Sequence, residues 1–248
     1  MIEVRNLFLR LNGQLILQDI NFVLEDGHNM IILGRSGAGK TVLIKTLMGF
    51  FPPDKGSVIV DGVDVYRDKD FHNSRLKHSF AMVFQNAALL DSFTVFQNVA
   101  LSLYERGEMD LSEIKEKVRK SLALVGLESA ENKYPSELSG GMLKRVGIAR
   151  ALTYEPSYII FDEPISGLDP ITASEILFYI TQIIRKGEVT TITITHDISN
   201  IHQLGDRVLF LEQGRQLYYG DLEGLYTSKD PIIQKFLNLN SNKYNLNS

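Results

Sequence analysis

Alternating apolar and polar positions organise the first 24 residues. Ile2, Val4 and Leu7 open one strand; Leu15, Ile16 and Leu17, then Ile20, Phe22 and Leu24, carry a second. Asn12-Gly13 between them is a hairpin-turn signal, and Glu25-Asp26-Gly27 closes the segment. Residues 30–33 then form a short, unbroken apolar run, the pattern of a buried parallel strand. A glycine-rich loop follows, and Leu43, Ile44 and Leu47 mark a helix. Residues 51–56 spell a turn and 57–60 a strand, ended by Asp61-Gly62.

The periodicity becomes helical in the middle of the chain. Residues 110–126 place Ile114, Val118, Leu122 and Val125 on one face, with Ser112 as the expected N-cap and Gly126 as the stop. A second helix is predicted over about 141–153, and an apolar strand over 158–161. Asp169 and Pro170 are an N-cap and N1 pair, and the helix they open ends at Arg185-Lys186-Gly187. Residues 189–195 form a β-branched strand; 208–211 and 216–219 flank Gly214 as a hairpin. From Asn238 the tail is polar and is expected to fray. Strand–helix alternation at both ends thus brackets a helical stretch of about 85–157. The predicted fold is α/β, with a parallel-sheet core, an N-terminal antiparallel β portion and an inserted helical subdomain.

Charge and composition exclude several classes. The 26 basic and 30 acidic residues sum to −4, so no overall basic field points to nucleic acid, and no nucleic-acid partner is expected. Cysteine is absent, which excludes a disulfide scaffold, a cysteine-ligated zinc site and a thiol nucleophile, and fits a reducing compartment. No apolar run approaches the roughly 20 residues of a membrane span, and Met1-Ile2-Glu3-Val4-Arg5 does not read as a signal peptide. The expectation is a cytoplasmic chain that reaches a membrane through a partner.

Three motifs carry chemistry. Gly34-Arg35-Ser36-Gly37-Ala38-Gly39-Lys40-Thr41 matches G-x-x-x-x-G-K-[ST] between a strand and a helix. Its glycines let backbone N–H groups face phosphate oxygens, Lys40 supplies a point charge, and the Thr41 hydroxyl can ligate Mg²⁺. Residues 158–163 deliver Asp162 and Glu163 at the C-terminal end of an apolar strand, where α/β proteins place their sites. Asp162 can hold hydrated Mg²⁺ and Glu163 can polarise a water. In Leu138-Ser139-Gly140-Gly141-Met142, Ser139 is a helix N-cap and the glycines leave first-turn N–H groups uncovered, a second anion cradle. Taken singly, each also reads as ordinary structure: a turn, two solvated acids, a cap.

Their order, P-loop, then Leu-Ser-Gly-Gly, then apolar-Asp-Glu, resembles the ATP-binding-cassette ATPases, whose signature is LSGG. Gln85 resembles that family's Q-loop glutamine, Ser166-Gly167-Leu168-Asp169 its D-loop, and His196 its switch histidine. The resemblance spans residues 2–237 and implies one P-loop NTPase domain. Its RecA-like core would cover 2–85 and 158–225 and its helical subdomain about 86–157, with 238–248 as a tail. It implies ATP and Mg²⁺ as cofactors. Gly34 to Thr41 would bind the phosphates, with Lys40, Gln85, Glu163 and His196 in catalysis and Thr41, Gln85 and Asp162 at the metal. Ser139, Gly140, Gly141 and Asp169 would face nucleotide across a head-to-tail homodimer.

Residues 85–99, Met142 within the signature, Asp169-Pro170-Ile171-Thr172 and residues 230–237 are similar to the Mla-type lipid-transport ATPases. That resemblance implies phospholipid cargo, a separate membrane permease, an Mla-type substrate-binding subunit and a small accessory subunit. The chain would sit on the cytoplasmic face of the membrane through the permease. One departure is the adenine-stacking aromatic. By spacing it falls on Leu11, or on Arg10, with Phe8 three residues early, so weaker adenine discrimination is expected. A cassette for another cargo (amino acid, lipoprotein or drug), a non-transport cassette acting on ribosomes or DNA, and a catalytically dead assembly subunit are the competing readings. Lys40, Asp162, Glu163 and His196, all present, oppose the last.

Overall fold

The computed structural model describes residues 1–68, 79–107 and 109–241. In chain order the strands and helices begin with β1 (Ile2–Leu11), β2 (Gln14–Leu24), β3 (Met30–Leu33), α1 (Lys40–Leu47), β4 (Lys55–Val60) and β5 (Val63–Asp64). Next come β6 (Phe80–Val83), α2 (Val95–Arg106), α3 (Leu111–Leu124), α4 (Gly140–Thr153), β7 (Tyr158–Asp162) and α5 (Pro170–Lys186). The chain continues through β8 (Thr190–Thr195), α6 (Ile201–Leu204), β9 (Arg207–Glu212), β10 (Arg215–Asp221), α7 (Leu222–Thr227) and α8 (Pro231–Ser241). Two compact units result: residues 1–77 with 190–248, and residues 78–189.

In the first unit the strands run β5-β4-β1-β2-β10-β9-β3-β8. The β1–β2 hairpin turns at Asn12-Gly13, with φ 51° and 79°, the left-handed backbone that this pair of residues tolerates. β3 lies between β8 and β9, parallel to both, and all four of its side chains are buried. That burial explains its unbroken apolar run. Strand β4 begins two residues earlier than the pattern predicts, because Lys55 pairs across β1 with Phe8. Helix α8 runs through Ser241, four residues into the segment read as a tail; 242–248 of that segment lie outside the described residues. Asp230 caps its first N–H groups, and Ile233, Phe236 and Leu237 bury one face, with Phe236 edge-on to Phe210 of β9 at 5.0 Å.

The second unit pairs β6 with β7 in parallel, with Phe80 stacked on Tyr158 at 4.9 Å, and packs α2, α3, α4 and α5 on one another. Helix α3 is capped by Asp110, not Ser112. The Asp110 carboxylate accepts from the N–H groups of Ser112 (2.7 Å) and Glu113 (2.9 Å), and Glu113 returns a bond to the Asp110 N–H (3.0 Å). A carboxylate serving two amides at a positive helix end outcompetes the hydroxyl two residues later. Helix α2 starts in a second capping box, Thr94 with Gln97. Its fully buried Asn98 fixes the preceding loop, accepting from the Leu90 N–H (2.8 Å) and donating to the carbonyls of Leu90, Phe93 and Thr94 (3.1 Å each).

Candidate functional site

The candidate residues divide between the units. Leu11, Gly34 to Thr41 and His196 belong to the first; Gln85, Ser139, Gly140, Gly141, Asp162, Glu163 and Asp169 belong to the second.

The loop from Gly34 to Gly39 leaves the buried end of β3 and enters α1. Gly34 has φ 148°, and a β-carbon there would stand 2.2 Å from the Leu211 carbonyl oxygen, so only glycine fits. Gly39 has φ 99° and directly precedes the helix. The loop curls around its own lysine: the Lys40 Nζ donates to the carbonyls of Gly34 (2.7 Å) and Arg35 (3.1 Å). Lys40 is buried, while Arg35, Ser36, Gly37 and Thr41 are exposed. The Gly214 N–H donates to the Ala38 carbonyl at 3.1 Å, tying the loop to the β9–β10 turn. A glycine-rich loop of this shape, leading into a helix N-terminus, is able to cradle an anion.

Leu11 is half-buried at the end of β1, Arg10 is exposed and Phe8 is half-buried. His196 is exposed and directly follows β8. The loop beyond it is ordered by the Asp197 N–H, which donates to Thr195 Oγ1 at 3.0 Å.

In the second unit β7 carries Asp162 as its last residue, with Glu163 immediately after. Glu163 sits at φ 48°, a left-handed backbone that a non-glycine residue adopts at a cost of about 1–2 kcal/mol. Strain of this kind persists where surrounding structure enforces it. Here the Ser166 N–H donates to the Glu163 carbonyl at 3.2 Å and closes the turn. Gln85, exposed after β6, reaches toward the same turn, its Nε2 at 3.4 Å from Ser166 Oγ.

Ser139 is the N-cap of α4. Its Oγ accepts the Met142 N–H at 3.3 Å, which leaves the hydroxyl hydrogen to donate outward. Gly140 is exposed, whereas Gly141 is buried against Thr172 of α5. Asp169 caps α5, accepting from the Ile171 and Thr172 N–H groups (3.0 Å each) and from the Thr172 hydroxyl (2.6 Å). Those bonds, led by the Thr172 hydroxyl, hold its carboxyl below the usual aspartate range. The turn at Gly141 and the cap at Asp169 therefore meet at one threonine.

Two residues of α4 were not singled out from the sequence. Lys144 is 7% exposed, and its Nζ has no hydrogen-bond partner among the described residues. Burial lowers its pKa, against the opposing pull of Asp162 and Glu163. Arg150 donates to the carbonyls of Ala87 (2.6 Å) and Ala88 (2.8 Å), just past Gln85. Ala87 and Ala88 both lie in left-handed backbone, at φ 55° and 48°.

With fold and motifs in place, the class follows. The chain belongs to the ABC transporter family, whose model matches residues 17–166, and it is an ATPase domain of that family. Among relatives, it is 36% identical over 237 residues to the probable ribonucleotide transport ATP-binding protein mkl of Mycobacterium tuberculosis, covering 96% of this chain and 66% of that protein. It is 36% identical over 255 residues to protein trigalactosyldiacylglycerol 3, chloroplastic, of Arabidopsis thaliana, covering 95% of this chain and 73% of the relative. The methionine import ATP-binding protein MetN of Bradyrhizobium diazoefficiens is 41% identical over 222 residues, covering 89% of this chain and 64% of the relative. The chain thus spans slightly less than two thirds of the mycobacterial protein's length. Among solved structures, the dimeric post-hydrolysis state of the ATP-binding cassette MJ0796 bound to ADP and Pi matches with TM-score 0.77 and 28% identity, over 90% of this chain and 99% of that one. The structure of cbiO1 from Clostridium perfringens, part of the ABC transporter complex cbiONQ, matches with TM-score 0.83 and 28% identity over 100% of this chain and 98% of that one.

Proposed function

We propose that this chain is the ATP-hydrolysing subunit of a membrane transporter and that its cargo is a lipid. The observation that carries the ATPase reading is the phosphate cradle of Gly34 to Thr41, closed on Lys40 and braced by Gly214. Lys40 and the loop amides would neutralise the outer phosphates. The oxygen donors of Thr41, Gln85 and Asp162 are of the hard type that suits Mg²⁺, which supplies charge neutralisation at the phosphates when bound. Glu163 would orient and deprotonate the attacking water, with His196 and Gln85 sensing the γ-phosphate. Leu11 would lie against the adenine.

Each P-loop can surround only part of a triphosphate. The outward-donating Ser139 hydroxyl, with Gly140 and Gly141, would complete the site of a second copy in a head-to-tail homodimer, with Asp169 at the same interface. The dimeric form of the matched cassette supports that arrangement. ATP then acts as a ligand of the closed state, and its hydrolysis releases the two copies. Among the described residues no helix is long and apolar enough to cross a membrane. A separate permease would therefore carry the cargo, as the cbiO1 relative's membership of a transporter complex supports. The chain would sit on the cytoplasmic face of the membrane.

For cargo, the relative named for a glycolipid and the Mla-type character of residues 85–99 favour lipid, with an Mla-type substrate-binding subunit and a small accessory subunit as further partners. The identity to MetN favours a second reading, an amino acid importer. Co-purification of the chain with its membrane partners, followed by lipid analysis and ATPase assays in proteoliposomes, separates the two. Bound phospholipid with lipid-dependent turnover is expected; methionine-stimulated turnover without lipid transfer would establish the second.

A further inference from the structure

Gln85 stands in a loop whose shape is not set by local preference. The Ala87 N–H donates to the Phe84 carbonyl at 3.0 Å, so Gln85 and Asn86 are the central residues of a tight turn. The next two residues, Ala87 and Ala88, are both left-handed, at φ 55° and 48°. Alanine adopts that backbone at a cost, and two in succession persist only where other segments hold them. Helix α4 does so. The Ala87 methyl is buried where the α4 backbone comes close at Gly147; a β-carbon on that glycine would stand 3.5 Å from Ala87 Cβ. Three residues on, in the last turn of α4, Arg150 Nη1 donates to the Ala88 carbonyl at 2.8 Å and Nη2 to the Ala87 carbonyl at 2.6 Å. Burial lowers the pKa of this guanidinium, and among the described residues no carboxylate offsets that. Its donors serve the loop carbonyls rather than an ion pair. A planar fork can hold two successive carbonyls at once, whereas an ammonium is a single point donor.

We propose that Arg150 is a positioning residue for Gln85. Its fork fixes the carbonyls of residues 87 and 88, and the turn hydrogen bond carries that constraint back to Phe84. Gln85, between them, is thereby presented toward the turn after β7, its Nε2 at 3.4 Å from Ser166 Oγ. Arg150 acts only through this loop. The inference rests on the reading of Gln85 as a residue of the ATPase site.

The test uses the full chain. Arg150→Lys keeps the charge and an aliphatic stem but removes the fork. In the nucleotide-free chain, amide hydrogen exchange in a peptide spanning residues 84–90 is expected to accelerate at least fivefold, with exchange over residues 30–47 unchanged. The kcat for ATP is expected to fall at least fivefold, with the dissociation constant of a fluorescent ATP analogue within twofold of the parent. Added to Gln85→Ala, Arg150→Lys is expected to lower kcat by less than a further twofold, because nothing is left to position. A packing role alone would lower kcat by the same factor in both backgrounds. Should Arg150→Lys not fold, the same comparisons made on Arg150→Gln decide the matter. Unchanged exchange in a folded variant, parent-like kcat, or rate effects that multiply overturns the proposal. Parent-like kcat in Gln85→Ala, or no ATP hydrolysis by the parent chain, would instead overturn the reading on which it rests.

Discussion

Gly141 and Thr172 approach so closely that a β-carbon on Gly141 would stand 2.6 Å from Thr172 Cγ2. The threonine cannot swing aside freely, because its hydroxyl is bonded to Asp169 at 2.6 Å. Gly141→Ala is therefore expected to overpack the α4–α5 contact, lowering stability by about 1–3 kcal/mol and cutting turnover. Adding Thr172→Ser removes the methyl and keeps the hydroxyl. The double variant should regain most of the lost Tm in a thermal melt and part of the rate in a phosphate-release assay. No recovery in the double variant would show that the loss does not come from the contact with Thr172.

If Glu163 is the base, as proposed, Glu163→Gln should retain ATP binding and accumulate the closed dimer, because it leaves the loop from Gly34 to Thr41 untouched. Loss of a general base costs about 10²–10⁴ in rate. Sedimentation with and without ATP, alongside a turnover assay, checks this. Parent-like hydrolysis by the variant would remove Glu163 from the role assigned to it.

Lys40→Ala should lose nucleotide binding for two reasons. The point charge at the phosphates disappears, and the carbonyls of Gly34 and Arg35 lose the donor around which the loop closes. A ligand at about 100 times its dissociation constant stabilises a protein by about 2.7 kcal/mol. That thermal shift on adding ATP is expected for the parent and not for the variant.

Leu11 offers apolar contact without a π face, so ATP and GTP should bind with dissociation constants within a few-fold of each other. Leu11→Tyr should tighten both, since every purine presents a ring to stack. Titration calorimetry with the two nucleotides measures the ratio. A strong ATP preference in the parent would move base recognition to another residue.

Acid should weaken the caps of α3 and α5. Hydrogen bonds hold the carboxyls of Asp110 and Asp169 below the usual range in the folded chain. Their contribution is fully present above the unfolded carboxylate value of about 3.9, and is lost as pH falls through the lower folded value. Asp169→Asn keeps a capping oxygen without the titration. Urea midpoints between pH 6 and pH 3 should therefore fall less for Asp169→Asn than for the parent.

Much of this was legible along the chain because the signals were local. The P-loop lies between an unbroken apolar strand and a helix, so motif and context are contiguous. The ends of α5 are spelled by Asp169-Pro170 and Gly187, the latter at φ 67°. The cap of α3 was harder: Asp110 and Ser112 are both good caps, and only the bond to Glu113 decides between them. The start of α2 was available in Thr94 and Gln97, which form a capping box, but the helix was not read from it. Lys144 had no local signal at all. A lysine among apolar residues on a helix reads as a solvated side chain, and only tertiary packing leaves it 7% exposed. The grip of Arg150 on Ala87 and Ala88 likewise arises from a contact between distant segments.

That grip has a consequence for rebuilding the protein. Helix α4 begins at the Ser139 cap and carries Arg150 near its other end, so a single rod bears both the signature and the clasp that sets the loop after Gln85. The stretch from Gln85 to Arg150 brings its own alignment with it. Chimaeras that exchange it whole with a related cassette should keep that alignment. Crossovers placed inside α4 would join a signature from one parent to a clasp cut for the other, and should be the ones that fail.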